Sequence, residues 1–122
     1  MIRLLAAAAL LALIAAPAQA MSVAEFLAKA HALKAKGPLA ILSPDLPVLK
    51  KEMQDIGAGY RAEILAARAA GRTPHSCPPP RNQVKMDSSQ LLAELERIPP
   101  AQRGMSMRTA FYAIMKRRYP CP

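Results

Sequence analysis

The chain has 122 residues, 17 Lys and Arg against 8 Asp and Glu, a formal net charge of +9, 12 prolines, no Trp and two cysteines. That length allows one domain of ordinary size and excludes two. So positive a balance ordinarily points to a nucleic acid, but Phe26, Phe111 and three tyrosines are too few and too scattered for a base-stacking surface.

Met1 to Ala20 reads as a Sec-type signal peptide. Arg3 supplies the positive start, Leu4 to Ala16 form a run of thirteen apolar residues, and Pro17 precedes the small-residue site Ala18-Gln19-Ala20, which places cleavage between Ala20 and Met21. The run falls short of the roughly twenty apolar residues that span a bilayer, and no cysteine follows the cut to take a lipid. The expectation is a periplasmic protein beginning at Met21, with no transmembrane anchor after processing and two cysteines free to bridge. Its sixteen basic and eight acidic residues leave a net charge of +8. Export removes nucleic acid as a partner; lipid headgroups, carboxylate-bearing wall peptides and acidic proteins remain, and like charge also serves solubility.

Ser22 to Lys36 reads as a helix. Ser22 and Glu25 stand at capping-box spacing, Met21 and Phe26 at staple spacing, and Val23, Phe26, Leu27, Ala30 and Leu33 form one apolar stripe. Lys34 and Lys36 suit the negative end of the helix dipole, and Gly37 suits a left-handed stop. His31 lacks a second histidine four residues away and reads as a surface side chain. Pro38 to Pro47 is a proline-punctuated connector. A long helix follows from Asp45 or Leu46 to about Ala70, with Leu46, Leu49, Met53, Ile56, Tyr60, Ile64 and Ala67 on one face. Gly57 and Gly59 interrupt it, marking a bend or a close approach, and Gly71 ends it.

The loop "RTPHSCPPPRN" carries Pro78, Pro79 and Pro80, which stiffen the chain after Cys77. His75-Ser76-Cys77 offers a thiol beside a base, but two positions in an extended loop disfavour the paired geometry only weakly; an even cysteine count in an exported chain favours a bridge instead, and His75, Cys77 and Cys121 fall short of a four-ligand zinc site. Asp87 and Gln90 form a second cap pair before Leu91, Leu92, Leu95 and Ile98, and Pro99-Pro100 stops that helix. The last helix starts at Ser106 with Met107, Phe111, Ile114 and Met115 inward. Arg108, Tyr112 and Lys116, at steps of four on the other side, form a basic stripe suited to protein contact or to solvent. A Cys77–Cys121 bridge would close a loop of about 45 residues, worth roughly 4 kcal/mol on the chain-entropy estimate. The expected fold is therefore all-α, a small four-helix domain over 21–122 with one intramolecular disulfide.

Cys77-Pro78, "SSQLLAELERIPP", Arg103 and "AFYAIMKRRYPC" from Ala110 to Cys121 together resemble the C-terminal half of the Rap/Tai-type immunity proteins of type VI secretion systems. Members share a "C-x-P" loop and a terminal "PC", and Gly59-Tyr60 matches a glycine-tyrosine pair in the family's first half. The resemblance implies a small exported helical protein that binds a peptidoglycan amidase toxin and blocks its groove. This chain departs from the members compared in having no cysteine before Cys77, and no toxin-contacting residue carries over by motif. Composition and spacing leave two other classes in view. One is a general periplasmic chaperone, stress or structural envelope protein. The other is an enzyme, which lacks a clustered catalytic set, paired carboxylates or a phosphate-cradling glycine loop. The expectation is a binding protein rather than an enzyme, with no cofactor and no metal.

Overall fold

A computed structural model describes residues 20–122 of the chain. The expected export signal, Met1 to Ala20, lies outside the described residues except for Ala20, which is exposed. The fold is all-α: α1 (Val23–Ala35), α2 (Asp45–Ala69), α3 (Ser88–Glu96) and α4 (Met107–Arg118), with short 3-10 helices at Gly37–Leu42, Arg81–Gln83 and Pro100–Gln102. Helix α1 is central and packs on each of the other three, while α2 also packs on α4.

Local chemistry sets the helix ends. The Ser22 hydroxyl accepts from the Glu25 N–H at 3.1 Å, and Gly37 takes φ 55° after α1, a left-handed stop that costs glycine little. Helix α2 accepts Pro47 because the N–H groups of a first turn have no partner within the helix. It runs unbroken through Gly57 and Gly59, and neither glycine marks a tight contact: a Cβ on Gly57 meets nothing within 4 Å, and one on Gly59 meets only Arg108 at 3.9 Å. Gly71, at φ 69°, closes α2, with the Arg72 N–H returning to the Ala67 carbonyl at 2.8 Å. Before α3 the box forms in both directions, Gln90 N–H to Asp87 at 2.8 Å and Asp87 N–H to Gln90 at 3.1 Å.

Only the forward half of a box forms at Ser22, and the next N–H groups of α1 are bonded outside the helix. Val23 donates to the Met105 carbonyl and Ala24 to the Arg103 carbonyl, each at 2.9 Å, while the Met107 N–H returns to Met21 at 2.8 Å. The N-termini of α1 and α4 are thus joined by backbone bonds that satisfy donors a helix cannot satisfy itself. The Arg103 side chain secures the same corner, its Nε on the Ile98 carbonyl and its Nη2 on the Glu96 carbonyl, both at 2.9 Å.

The apolar stripes meet in one core. Val23, Leu95 and Met107 are fully buried at its centre, surrounded by Phe26, Leu27, Leu33, Ile56, Tyr60, Ile64, Phe111, Ile114 and Met115. Truncating a fully buried leucine such as Leu95 to alanine removes about 2–5 kcal/mol. Outside the core, Glu94 ties α3 to α4. Its carboxylate is mostly covered, binds Arg117 directly and lies 3.7 Å from Arg97 and 3.8 Å from Arg118.

Cys77 and Cys121 are bonded, their Cα atoms 4.9 Å apart and 44 positions apart in sequence. Beside the bridge the Cys77 N–H donates to the Tyr119 carbonyl at 2.8 Å. Reduction, or the Cys77→Ser/Cys121→Ser pair, is expected to lower the unfolding free energy of the chain from Met21 by about 4 kcal/mol. Urea unfolding followed by circular dichroism checks this, and equal midpoints for the oxidised and reduced protein would contradict it.

Candidate functional site

The loop after α2 is the most elaborately held irregular segment among the described residues. Ser76 is completely buried, and its hydroxyl is hydrogen-bonded to that of Tyr60. Tyr60 projects from the middle of α2 with its ring edge-on to Phe111 and to Tyr112, at 5.4 and 5.3 Å between centroids. Burial raises the Tyr60 pKa, and the bond from Ser76 offsets part of that rise. His75 stays exposed, with Nδ1 3.5 Å from the Ser76 hydroxyl and its ring 5.3 Å from that of Tyr112. With Ser76 sealed from solvent and Cys77 in a disulfide, the His75-Ser76-Cys77 run has no free nucleophile. Among the described residues no group of three or more His, Cys, Asp and Glu could hold a metal ion.

The stripe on α4 is only partly open. Arg108 forms an ion pair with Glu63 on α2 and lies over the Tyr112 ring, 5.0 Å from its centroid. Tyr112 is half-buried, where its spacing alone places it outward; its ring reaches across the edge of the core to Tyr60. Its hydroxyl is buried without a well-formed hydrogen bond. The Glu63 carboxylate stands near enough to favour the protonated phenol, and burial followed by Glu63 pushes the Tyr112 pKa up to about 12. Lys116, one turn further along, is exposed.

The structure divides the loop between two surfaces. His75 joins the Arg108–Tyr112 side. Pro78, Pro79 and Pro80 instead face Arg61, Ile64, Leu65 and Arg68 of α2 and, with Arg81, line a groove of about 450 Å³. At about 100° per residue, Gly59 and Glu63, which meet Arg108, lie on one flank of the buried Tyr60 and Ile64. Arg61, Leu65 and Arg68 lie on the other. Three arginines, a largely exposed leucine and three prolines thus meet at one groove whose wall is anchored by the disulfide. The sequence marked the prolines as a stiff loop; the arginines of α2 were hidden because they fall between core positions of an amphipathic helix.

Tyr60→Phe is expected to cost about 1–3 kcal/mol by stranding the sealed Ser76 hydroxyl. Adding Ser76→Ala restores part of that loss, and a double-mutant cycle in urea measures the coupling. Tyr112 behaves differently, since its folded pKa lies above its unfolded value of 10.0. Its contribution to stability is complete below about pH 10 and is lost as pH rises towards 12. Tyr112→Phe should therefore make stability less sensitive to pH in that window, as read by urea midpoints across it; an unchanged slope would contradict the assignment. No protein-family model, curated protein or solved structure matches the chain, so the fold and the groove rest on this chain's own residues.

Proposed function

We propose that the chain is an exported protein-binding domain that acts by occupying a partner rather than by catalysis, and that the groove between Pro78–Pro80 and α2 is the centre of its interface. The observation that carries this reading is the preformed wall. Three prolines limit the backbone, the disulfide fixes one end, and the buried Ser76–Tyr60 bond fixes the residue before it. A segment ordered in advance loses little entropy on binding. Arginine is well suited to such a surface because its planar fork pairs with carboxylates in two places. The complementary partner presents acidic side chains around an apolar anchor that covers Leu65 and the prolines.

The resemblance to amidase immunity proteins gives this partner a chemical class, a periplasmic peptidoglycan hydrolase whose groove a stiff basic loop would obstruct. Arg108 and Lys116 form a second basic edge, reached around His75, where contact adds to rather than defines the interface. Arg108 must keep or exchange its pair with Glu63 on binding.

The test uses oxidised chain from Met21 as bait on the envelope fraction of the producing cells, followed by a peptidoglycan hydrolysis assay on whatever is retained. The expected result is one hydrolase captured in equal proportion and inhibited. Arg61→Glu/Arg68→Glu should weaken capture at least 100-fold with the melting temperature unchanged, while Arg108→Ala/Lys116→Ala weakens it less than 10-fold. Capture of many weakly held proteins, or of none, would overturn the inhibitory reading, and full binding by the Arg61/Arg68 variant would remove the groove from it.

A further inference from the structure

We infer that the corner between α1 and α2 is a docking surface for an anionic phospholipid bilayer. It is separate from the proline groove and independent of the function proposed for it. The 3-10 helix Gly37–Leu42 has three residues per turn, so residues three apart stand in line. Gly37, Ala40 and Ser43 form one line; Ala40 packs against the core and Ser43 is buried. The other two lines, Pro38 with Ile41 and Leu39 with Leu42, are thereby turned to solvent. Leu39 is 66% exposed, and Ile41 and Leu42 are each 76% exposed. Val48, in the first part of α2, adds a fourth large aliphatic side chain at 44%. The sequence reading treated this stretch as a connector, and its register makes it an apolar prow.

Charge identifies what such a prow would meet. Five of the seven lysines, Lys29, Lys34, Lys36, Lys50 and Lys51, fall between positions 29 and 51, against the single acid Asp45. Lys29 neutralises that acid at 3.2 Å. Lys51 is held by Asp55 at 2.7 Å, which leaves Lys34, Lys36 and Lys50 without an ion-pair partner among the described residues. Lys36 is pinned at the base of the prow by a 3.2 Å bond to the Ser43 hydroxyl. The same segment contains no arginine, and its exposed large hydrophobic side chains are all aliphatic, whereas nine of the ten arginines lie from Arg61 onward. Protein interfaces are enriched in aromatic residues and arginine and depleted in lysine. Aliphatic side chains ringed by lysine instead match the two layers of an anionic membrane, acyl chains below and phosphate headgroups above. Among the described residues no helix is long and apolar enough to cross a membrane, so the contact would be peripheral.

The test is co-sedimentation of the chain from Met21, which retains all of the core cluster seen among the described residues, with vesicles of phosphatidylcholine alone and with one-third phosphatidylglycerol. Binding is expected only to the anionic vesicles and should weaken as salt is raised. Leu39→Ser/Ile41→Ser/Leu42→Ser, all at exposed positions, should reduce it at least ten-fold with the melting temperature unchanged. Removing the charge of Lys34 and of Lys50 by substitution with Gln should each reduce it roughly five-fold, the weight of one lysine at an anionic surface. Arg61→Gln/Arg68→Gln should leave the contribution of the prow intact, so that adding the triple serine substitution still removes at least ten-fold. Failure to sediment with anionic vesicles overturns the inference. So does equal binding by the triple serine variant, which would reduce the effect to net charge, and so does sedimentation with neutral vesicles to the same extent.

Discussion

Both ends of α4 are fastened to segments remote from it in sequence, and the rest of the domain is arranged around that double attachment. At its start, three backbone hydrogen bonds join Met105, Arg103 and Met107 to the entry of α1. At its finish, the Cys77–Cys121 bridge and the bond from Cys77 to Tyr119 hold it to the loop that leaves α2. Between the two ties the buried face of α4 is constrained to lie where Tyr60, Val23 and Leu95 also converge. A domain of this size has a modest core, so covalent and backbone closure carry a share of the stability that a larger protein would obtain from apolar burial.

How much of this was legible in the sequence depended on the range of the interaction. Caps and stops are local, and Asp87, Ser106, Gly37 and Gly71 do what their positions implied, while Ser22 caps α1 without the return bond of a full box. The apolar stripes were equally plain because helical periodicity alone selects them, and the disulfide followed from there being two cysteines. The joined N-termini of α1 and α4 had no signature, since backbone groups look the same in every residue. Arg103 stood out only through family resemblance, and the structure gives it a mechanical role, bonding the end of α3 while its carbonyl receives α1. Tyr112 was harder for a different reason. Its Cα lies beside the inward stripe, and a long aromatic side chain can bend back over that edge, so angular position alone did not decide between solvent and core.

The two basic regions of the surface are chemically unlike. Around the proline groove the positive charge is borne by planar guanidinium groups beside rigid imino-acid rings. Around the prow it is borne by compact ammonium groups on flexible stems beside aliphatic side chains. Lysine keeps its hydration more tightly than arginine does, which suits a loose, wet layer of headgroups, whereas arginine suits a fixed carboxylate. One net charge therefore conceals two different recognition chemistries. They lie on different parts of α2, the prow near its start and the groove along its second half.

The pairing of Val23 and Ala24 with Met105 and Arg103 also governs the order in which the chain can become a folded object. The donors at the entry of α1 gain these partners only after about eighty further residues are present, and the sulfur that closes the second tie lies 44 positions beyond Cys77. A chain emerging end-first from a ribosome would carry α1 long before anything could complete it. Contacts of such long sequence separation form late and slowly, so α1 stays unlocked until the segment from Arg103 to Cys121 is present.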